Sequence, residues 1–459
     1  MTAHVEAAVS PQPADAVQRS NERCGIREGA YTAVMQGVGE NYFTAFALLL
    51  RASTSHIGLL TALPAFLGSF AQLASIFWLR WFDRRQRVVV AAALAQALLW
   101  LPLLGLPLLF PAHGVSLLIA CAVPFVVAGH FAIPAWNSLI TDLIDPAWRG
   151  AYFARRARVM SVTSFGSLIA AGVLLTWTAE HQRAWVGFAV VFLLAAYARG
   201  MAALYLRRLD DTPAAGAKTR DLGLKDFSNP QYRPFLKFLL FSGAINFGAM
   251  VAGPYIAVYL LRDLGFSYVL YSVWAGASIL GGYMALNAWG RIGDCYGNKK
   301  LLVASGFGLP VIPALYLFTQ DVGWIIVING MAGLMWSGFH LGLQNIVYDL
   351  AESQARAGAV AISNGVNATG AFLGTMAGGW LSTTAPTRFE IAGISIHFPS
   401  NLPMIFLAST LCLLAALFLI RLFKEARIVE PISHHALFLE LPLIKPMRDV
   451  LGSRIGHQP

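Results

Sequence analysis

GRIGDCYGNKK, Gly290 to Lys300, is a charged, glycine-marked segment set between two apolar runs, 267–290 and 300–319, each of membrane-spanning length. It reads as the turn between two membrane helices. Working outward from it, runs of the same kind recur near 29–52, 56–80, 88–110, 114–143, 152–178, 184–206, 233–260, 322–349, 357–381 and 401–423. With the first two that makes twelve spans. The composition agrees, since 57% of the 459 residues are hydrophobic and 12% are charged, about half the ~25% of an average soluble domain. A dozen spans of about 20 residues would absorb about 240 of them. Such a chain is not a soluble globular enzyme, a disordered polypeptide or a nucleic-acid-binding domain, despite its net charge of +10.

The basic residues orient the spans. If both ends are cytoplasmic, 28 of the 33 Lys and Arg residues fall in cytoplasmic segments or at the helix ends beside them, and four (Arg51, Arg183, Arg262 and Arg388) fall outside. The remaining one, Arg199, lies within the sixth span about two turns from its cytoplasmic end, and like Lys237 at the start of the seventh it reads as a snorkelling anchor. The charge is therefore mainly an orientation signal for a multi-pass protein of the cell membrane. Residues 1–28 lack the basic start and apolar run of a secretory signal and are expected to form a cytoplasmic tail. Segment 207–232, RRLDDTPAAGAKTRDLGLKDFSNPQY, is expected to be a cytoplasmic linker between a first bundle, 29–206, and a second, 233–423, with a cytoplasmic tail at 424–459. In the long outer loop 382–400, RFEIAGISIHF alternates as a small hairpin does. The four cysteines are too far apart for a disulfide framework or a zinc site.

The two halves repeat their charge chemistry. Asp83 after the second span has a counterpart in Asp294 after the eighth, and Asp142 with Arg149 after the fourth has one in Asp349 with Arg356 after the tenth, both in an Asp-x6-Arg spacing. Near-constant offsets of this kind indicate a duplicated bundle with parallel halves. The Gly290–Lys300 pattern, G-x3-D-x2-G-x-K-K, resembles the signature loop of the major facilitator superfamily. LRWFDRRQR (79–87) is its first-half copy, with Leu79 and Gln86 in place of glycines, and DLIDPAWRG (142–150) resembles the acidic-x6-Arg-Gly element of the superfamily's sugar-porter branch. The resemblance implies an all-α integral membrane fold of twelve helices in two pseudo-symmetric six-helix bundles. It also implies cytoplasmic gating networks, carried here by Asp83, Arg84, Arg87, Asp142 and Arg149 in one half and by Asp294, Lys299, Lys300, Asp349 and Arg356 in the other. An Asp at a helix end can accept from a neighbouring helix's first turn and pair with Arg, and such bonds tie helices together on one side.

Ionisable residues within the membrane are expensive and usually face a cavity. Glu40 stands near the middle of the first span, in YTAVMQGVGENYFTAF, with Gln36 one turn before and Asn41 beside it. The interior of the span offers no Lys or Arg as partner, and protonation holds a carboxyl there at lower cost than an unpaired charge. The resemblance places the first, fourth, seventh and tenth helices around a central cavity. His130 and Asn137 lie on the fourth, Asn246 on the seventh, and Trp336 and His340 on one face of the tenth. These residues are the candidate substrate and proton ligands. The small-residue run of the eleventh span, ISNGVNATGAFLGTMAGG, suits close helix contact, and Trp177, Trp185, Trp289, Trp324 and Trp380 suit an interfacial belt.

The fourth span lacks the mid-helix Arg of the proton-driven drug antiporters, the fifth lacks their Gly-Pro element, and the sugar-porter Pro-Glu-Ser-Pro endings are absent, so neither branch is supported. No nucleotide loop, metal-ligand spacing or nucleophile with a base appears, and no cofactor, metal or catalytic residue is expected. The expected function is secondary active transport of a small organic solute by alternating access, coupled to protons through Glu40. Expected partners are the solute, the proton and membrane lipids, with no nucleic acid, and the chain is expected to be monomeric. The alternative is a transporter-like membrane sensor or assembly protein without turnover.

Overall fold

A computed structural model describes residues 13–78, 84–145, 148–210, 230–351, 356–386, 388–391, 394–397, 400–423 and 442. The described chain is helical apart from one hairpin. Helix 1 runs Pro13–Val38 and resumes at Phe43–Leu49; helix 2 is Thr54–Trp78; helix 3 is Arg85–Leu99, continued by a 3-10 turn and Leu106–Leu109; helix 4 is Gly114–Leu143; helix 5 is Arg149–Glu180; helix 6 is Ala184–Arg207. The second half repeats the plan with helix 7, Arg233–Val258, helix 8, Tyr268–Tyr296, helix 9, Asn298–Gly306 resumed at Val311–Leu315, helix 10, Val322–Leu350, helix 11, Arg356–Thr384, and helix 12, Leu402–Phe418. Nine of the twelve are apolar and long enough to cross a membrane. Helices 1 and 11 are too polar by that measure, and helix 9 is in two pieces.

Three boundaries differ from the expectation. Helix 1 starts at Pro13, so half of the expected tail 1–28 is helix, because Glu28 and Thr32 are held inside the first half by side chains from helices 5 and 6. The same helix breaks at Gly39, within the span read as continuous. Helices 3 and 9, third in each half, are both interrupted near Pro102 and Pro310, as expected where proline removes a backbone donor. Linker residues 211–229 and nearly all of 424–459 lie outside the described residues. The expected hairpin is present, pairing β1 (Arg388–Ile391) with β2 (Ile394–His397) antiparallel.

Packing within the halves is pseudo-symmetric. Helix 1 lies against 5 and 6, helix 2 against 4, and helix 3 against 4; correspondingly helix 7 lies against 11 and 12, helix 8 against 10, and helix 9 against 10. The halves meet mainly through helix 2 with 11 and helix 5 with 8, which is also a symmetric pair. Their cores show where they are joined. One apolar core contains residues of both halves, from Phe46, Leu118 and Phe188 to Tyr255, Tyr316 and Phe406, at the end of the bundles away from the termini. At the other end the cores separate, one around Val88, Leu139 and Leu206 in the first half and another around Phe238, Phe339 and Leu413 in the second. The molecule is fastened at one end and divided at the other.

Helices 7 and 11 touch backbone to backbone. A Cβ added at Gly370, Gly374 or Gly378, one turn apart, would run into the carbonyl oxygens of Gly243, Phe247 and Val251 respectively. With lipid on the outside no hydrophobic force pulls helices together, so this close approach supplies the dispersion contact that does. Of the expected aromatic belt, Trp177, Trp185, Trp324 and Trp380 are exposed at helix ends, but Trp289 is fully buried and donates to the Leu334 carbonyl at 2.8 Å. Its indole fills the space against Gly338, so it is a core residue. Gly374→Val should lower stability by about 1 to 3 kcal/mol, as overpacking does. Gly365→Ala, with nothing near its added methyl, should change it little. Thermal unfolding of the two variants in the same detergent checks this pair.

Candidate functional site: a polar cavity in the first half

The site begins with the break in helix 1. After Val38, Gly39 leaves helical geometry at φ −111 and ψ −73, and Glu40–Tyr42 form a single 3-10 turn before the helix resumes. The break frees backbone acceptors that the membrane cannot hydrate. Asn41 answers one, its Nδ2 donating to the Gln36 carbonyl at 2.9 Å. Glu40 thus occupies the discontinuity itself. It opens on a cavity of about 480 Å³ among helices 1, 2, 3, 4 and 6, whose polar lining includes Thr32, Gln36, Glu40, Thr44, Thr61, Gln96, His130 and Arg199. Phe43, Leu60, Phe125 and Ile133 supply its apolar walls.

Arg199 is not a snorkelling anchor. It is buried, donates from Nε to Gln96 Oε1 and from Nη1 to Thr32 Oγ1, both at 2.8 Å, and attracts the Glu40 carboxylate electrostatically. A charge that finds polar partners inside the bundle need not reach for the headgroups. The counter-charge that helix 1 lacks therefore comes from helix 6. The network continues: Thr32 Oγ1 donates to Glu28 Oε1 at 2.9 Å, and Arg156 of helix 5 pairs with Glu28 Oε2 at 2.7 Å while lying over the Trp136 ring at 4.4 Å. Gln96 is itself fixed, donating to the Phe125 carbonyl at 2.9 Å. Sequence reading missed Glu28, Thr32, Gln96 and Arg156. The available signal was the i,i+4 spacing of Glu28 and Thr32, but nothing in one sequence ties it to helices 3, 5 and 6.

The candidate ligands divide. Gln36, Glu40 and His130 share the cavity, and His130 Nδ1 is buried with no hydrogen-bond partner among the described residues. Asn41 holds the helix break, Asn246 Nδ2 donates to the Ser242 carbonyl of its own helix at 2.9 Å, and Asn137 is exposed; none of them lines this cavity. Trp336 and His340 stack on each other at 5.1 Å in the second half, with His340 exposed.

The candidate gating residues tie helices together within each half. Asp142 near the end of helix 4 pairs at 2.6 Å with Arg85, the first residue of helix 3, rather than with Arg84 or Arg87, which are exposed. Asp349 near the end of helix 10 accepts at 2.6 Å from Asn298, the first residue of helix 9. The two bonds occupy equivalent places, with an amide where the first half has a cation. Arg149 Nη2 donates to the Thr141 and Ile144 carbonyls at 2.7 and 3.2 Å, closing the end of helix 4, and Lys299 donates to the Phe423 carbonyl at 2.6 Å. Asp294 and Arg356 are exposed, Lys300 sits near the start of helix 9, and Asp83 lies outside the described residues.

The opposite end is sealed by the residues that follow Glu40. The Asn41 carbonyl accepts from Tyr271 Oη at 3.0 Å, and the Tyr42 hydroxyl stands 2.7 Å from the Leu168 carbonyl and 2.5 Å from Ser272 Oγ. Beside them the Val269 amide donates to Thr176 Oγ1 at 3.0 Å. The turn that presents Glu40 to the cavity therefore also fastens the first half to helix 8 of the second.

Residues 238–454 match the Major Facilitator Superfamily. No sequence among curated proteins matches the chain. Solved structures match over most of it at low identity. A mutant of the nucleoside transporter NupG has a TM-score of 0.68 and 13% identity over 88% of this chain and 100% of its own. A bacterial homologue of the iron transporter ferroportin in its inward-facing state gives 0.63 and 12%, covering 88% of this chain and 98% of its own. A bacterial homologue of the human lysosomal transporter Spinster, inward-facing and unoccupied, gives 0.60 and 16%, covering 92% and 100%.

The seal is testable by itself. Tyr42→Phe removes the hydroxyl that bridges Leu168 and Ser272. A cysteine at Thr61, on the cavity wall, should then react faster with an impermeant maleimide added from the side of the hairpin 388–397. Equal labelling in parent and variant would mean that Tyr42 does not hold that end closed.

Proposed function

From the fold it shares with solved transporters and the match of its second half to the major facilitator superfamily, we propose that this chain belongs to that superfamily and carries a small organic solute across the cell membrane by alternating access, driven by protons taken up and released at Glu40. A multi-pass transporter of secondary type is what the family and fold support. The observation that carries the finer reading is the position of Glu40, at a break in helix 1, in a cavity between helices, on the turn that also seals the outer end. Broken helices are where membrane proteins place binding sites, because irregular backbone is tolerated only where it lines a cavity.

With the termini cytoplasmic, as the distribution of Lys and Arg favours, the shared core lies outside and the divided cores face the cytoplasm. That is an inward-open state. Opening outward requires the seam of Asn41, Tyr42, Tyr271 and Ser272 to part and the inner ends to meet. The Arg85–Asp142 and Asn298–Asp349 bonds keep each bundle's inner end rigid, so that the halves rock as bodies. An ionised Glu40 is drawn to Arg199; a protonated one is not. Protonation thus changes the charge and geometry of the turn that carries the seal, which couples proton to conformation without a relay across the molecule.

Proteoliposomes with an imposed pH gradient, screened with small organic solutes, test the reading. For a solute that the parent concentrates, Glu40→Gln should abolish accumulation driven by the gradient while retaining counterflow exchange at equal pH. Undiminished accumulation by correctly inserted Glu40→Gln protein would remove Glu40 from the coupling. Absence of flux for any solute in the parent would favour a sensor or assembly role.

A further inference from the structure

The two charges of the cavity differ in how they can change. Arg199 stays charged under all physiological conditions. Two of its five N–H donors are committed to Gln96 and Thr32, which fix the guanidinium and leave donors on a residue that lines the cavity. Glu28 also acts electrostatically on Arg199, but it is not part of the cavity lining and both its oxygens are engaged, by Thr32 and by Arg156. Glu40 is the acid that shares the cavity with Arg199, and it can gain a proton. The other groups facing this pair are Gln36 on helix 1, Gln96 on helix 3 and His130 on helix 4; helix 2 offers Thr61 alone, and helix 8 reaches the turn through Tyr271, bound to the Asn41 carbonyl. None supplies a second negative charge.

We infer that the solute is an organic monoanion with an apolar body, a carboxylate in the simplest case, received by Arg199 in place of the Glu40 carboxylate. The inference rests on Glu40 exchanging a proton in the transport cycle. With Glu40 ionised the cavity is electrically balanced and closed to an anion. With Glu40 protonated the group of Glu28, Arg156 and Arg199 is left with one positive charge in excess in a low-dielectric site, and an anion restores the balance through charge-assisted hydrogen bonds. When the proton leaves Glu40 for the inner water, the restored carboxylate competes for Arg199 and the anion departs. A cation would face a fixed guanidinium, and a neutral solute would leave one charge unpaired in one of the two states. The apolar walls at Phe43, Leu60 and Phe125 set the rest of the ligand, and about 480 Å³ is ample for one aromatic ring with its carboxylate.

Benzoate, benzyl alcohol and benzylamine share a ring and differ in charge, so they serve as probes of the full-length protein in nanodiscs. Binding of radiolabelled benzoate should be about tenfold tighter at about pH 5.5 than at about pH 8, with the probe ionised at both. Neither of the other two should compete. Glu40→Gln should bind benzoate equally at both pH values. Arg199→Gln should lose about tenfold or more at the lower pH, and Arg199→Lys, which keeps the buried charge, should keep most of the binding and separate loss of the receptor from loss of the fold. The inference is overturned if benzoate does not bind, if benzyl alcohol or benzylamine displaces it as well as unlabelled benzoate does, or if Arg199→Gln binds as the parent. Loss in Arg199→Gln with no pH dependence in the parent would keep Arg199 as the anion receptor and remove Glu40 as the proton site, so the two readings fail separately.

Discussion

In the hydrocarbon core of a membrane no water is available to satisfy a charge or a backbone carbonyl, and everything distinctive about this structure answers that constraint. Helix 1 breaks at Gly39, and the freed groups are met by Asn41 and Tyr271. Arg199 is buried, and Gln96 and Thr32 are turned to meet it. Glu28 would be unpaired but for Arg156. These bonds gather helices 1, 3, 5 and 6 around one polar cluster, and the cavity is what their packing leaves open beside Glu40.

The same constraint explains why the cluster lies in one half. The second half repeats the helix plan and the Asp-to-helix-start bond, yet its inner core is apolar around Phe238, Phe339 and Leu413, with glycines bringing helices 7 and 11 into backbone contact. An apolar, closely packed bundle can move as a body with little internal change, since packed interiors resist deformation. In the proposed cycle the first half supplies the chemistry and the second supplies a rigid surface against which it closes. Tyr271 and Ser272, near the start of helix 8, are where that surface meets the turn carrying Glu40.

What is proposed for function follows from putting a switchable charge and a lock on one short turn. Coupling in such an arrangement needs no long pathway, because Glu40, Asn41 and Tyr42 are consecutive residues of a single 3-10 turn. A change in the carboxyl's attraction to Arg199 acts on backbone that already bears the seal.

Much was fixed along the chain itself. Apolar runs separated by short charged turns dictate twelve helices wherever a membrane is present, because only a helix satisfies its own backbone there. The Asp-x6-Arg repeat made the duplication legible, since loops at helix ends recur with their bundles, and the glycine stripe of helix 11 was legible because small residues one turn apart can only mean close approach or a site. Glu40 stood out as an acid in an apolar run. Its setting did not. The break at Gly39, the burial of Arg199, the role of Glu28 and the pairing of Asp142 with Arg85, a residue outside the expected gate, depend on which helices lie side by side. A position near a helix end reads the same whether the side chain reaches for headgroups or inward. Only the tertiary structure, by placing Gln96 and Thr32 beside Arg199, decides which it does.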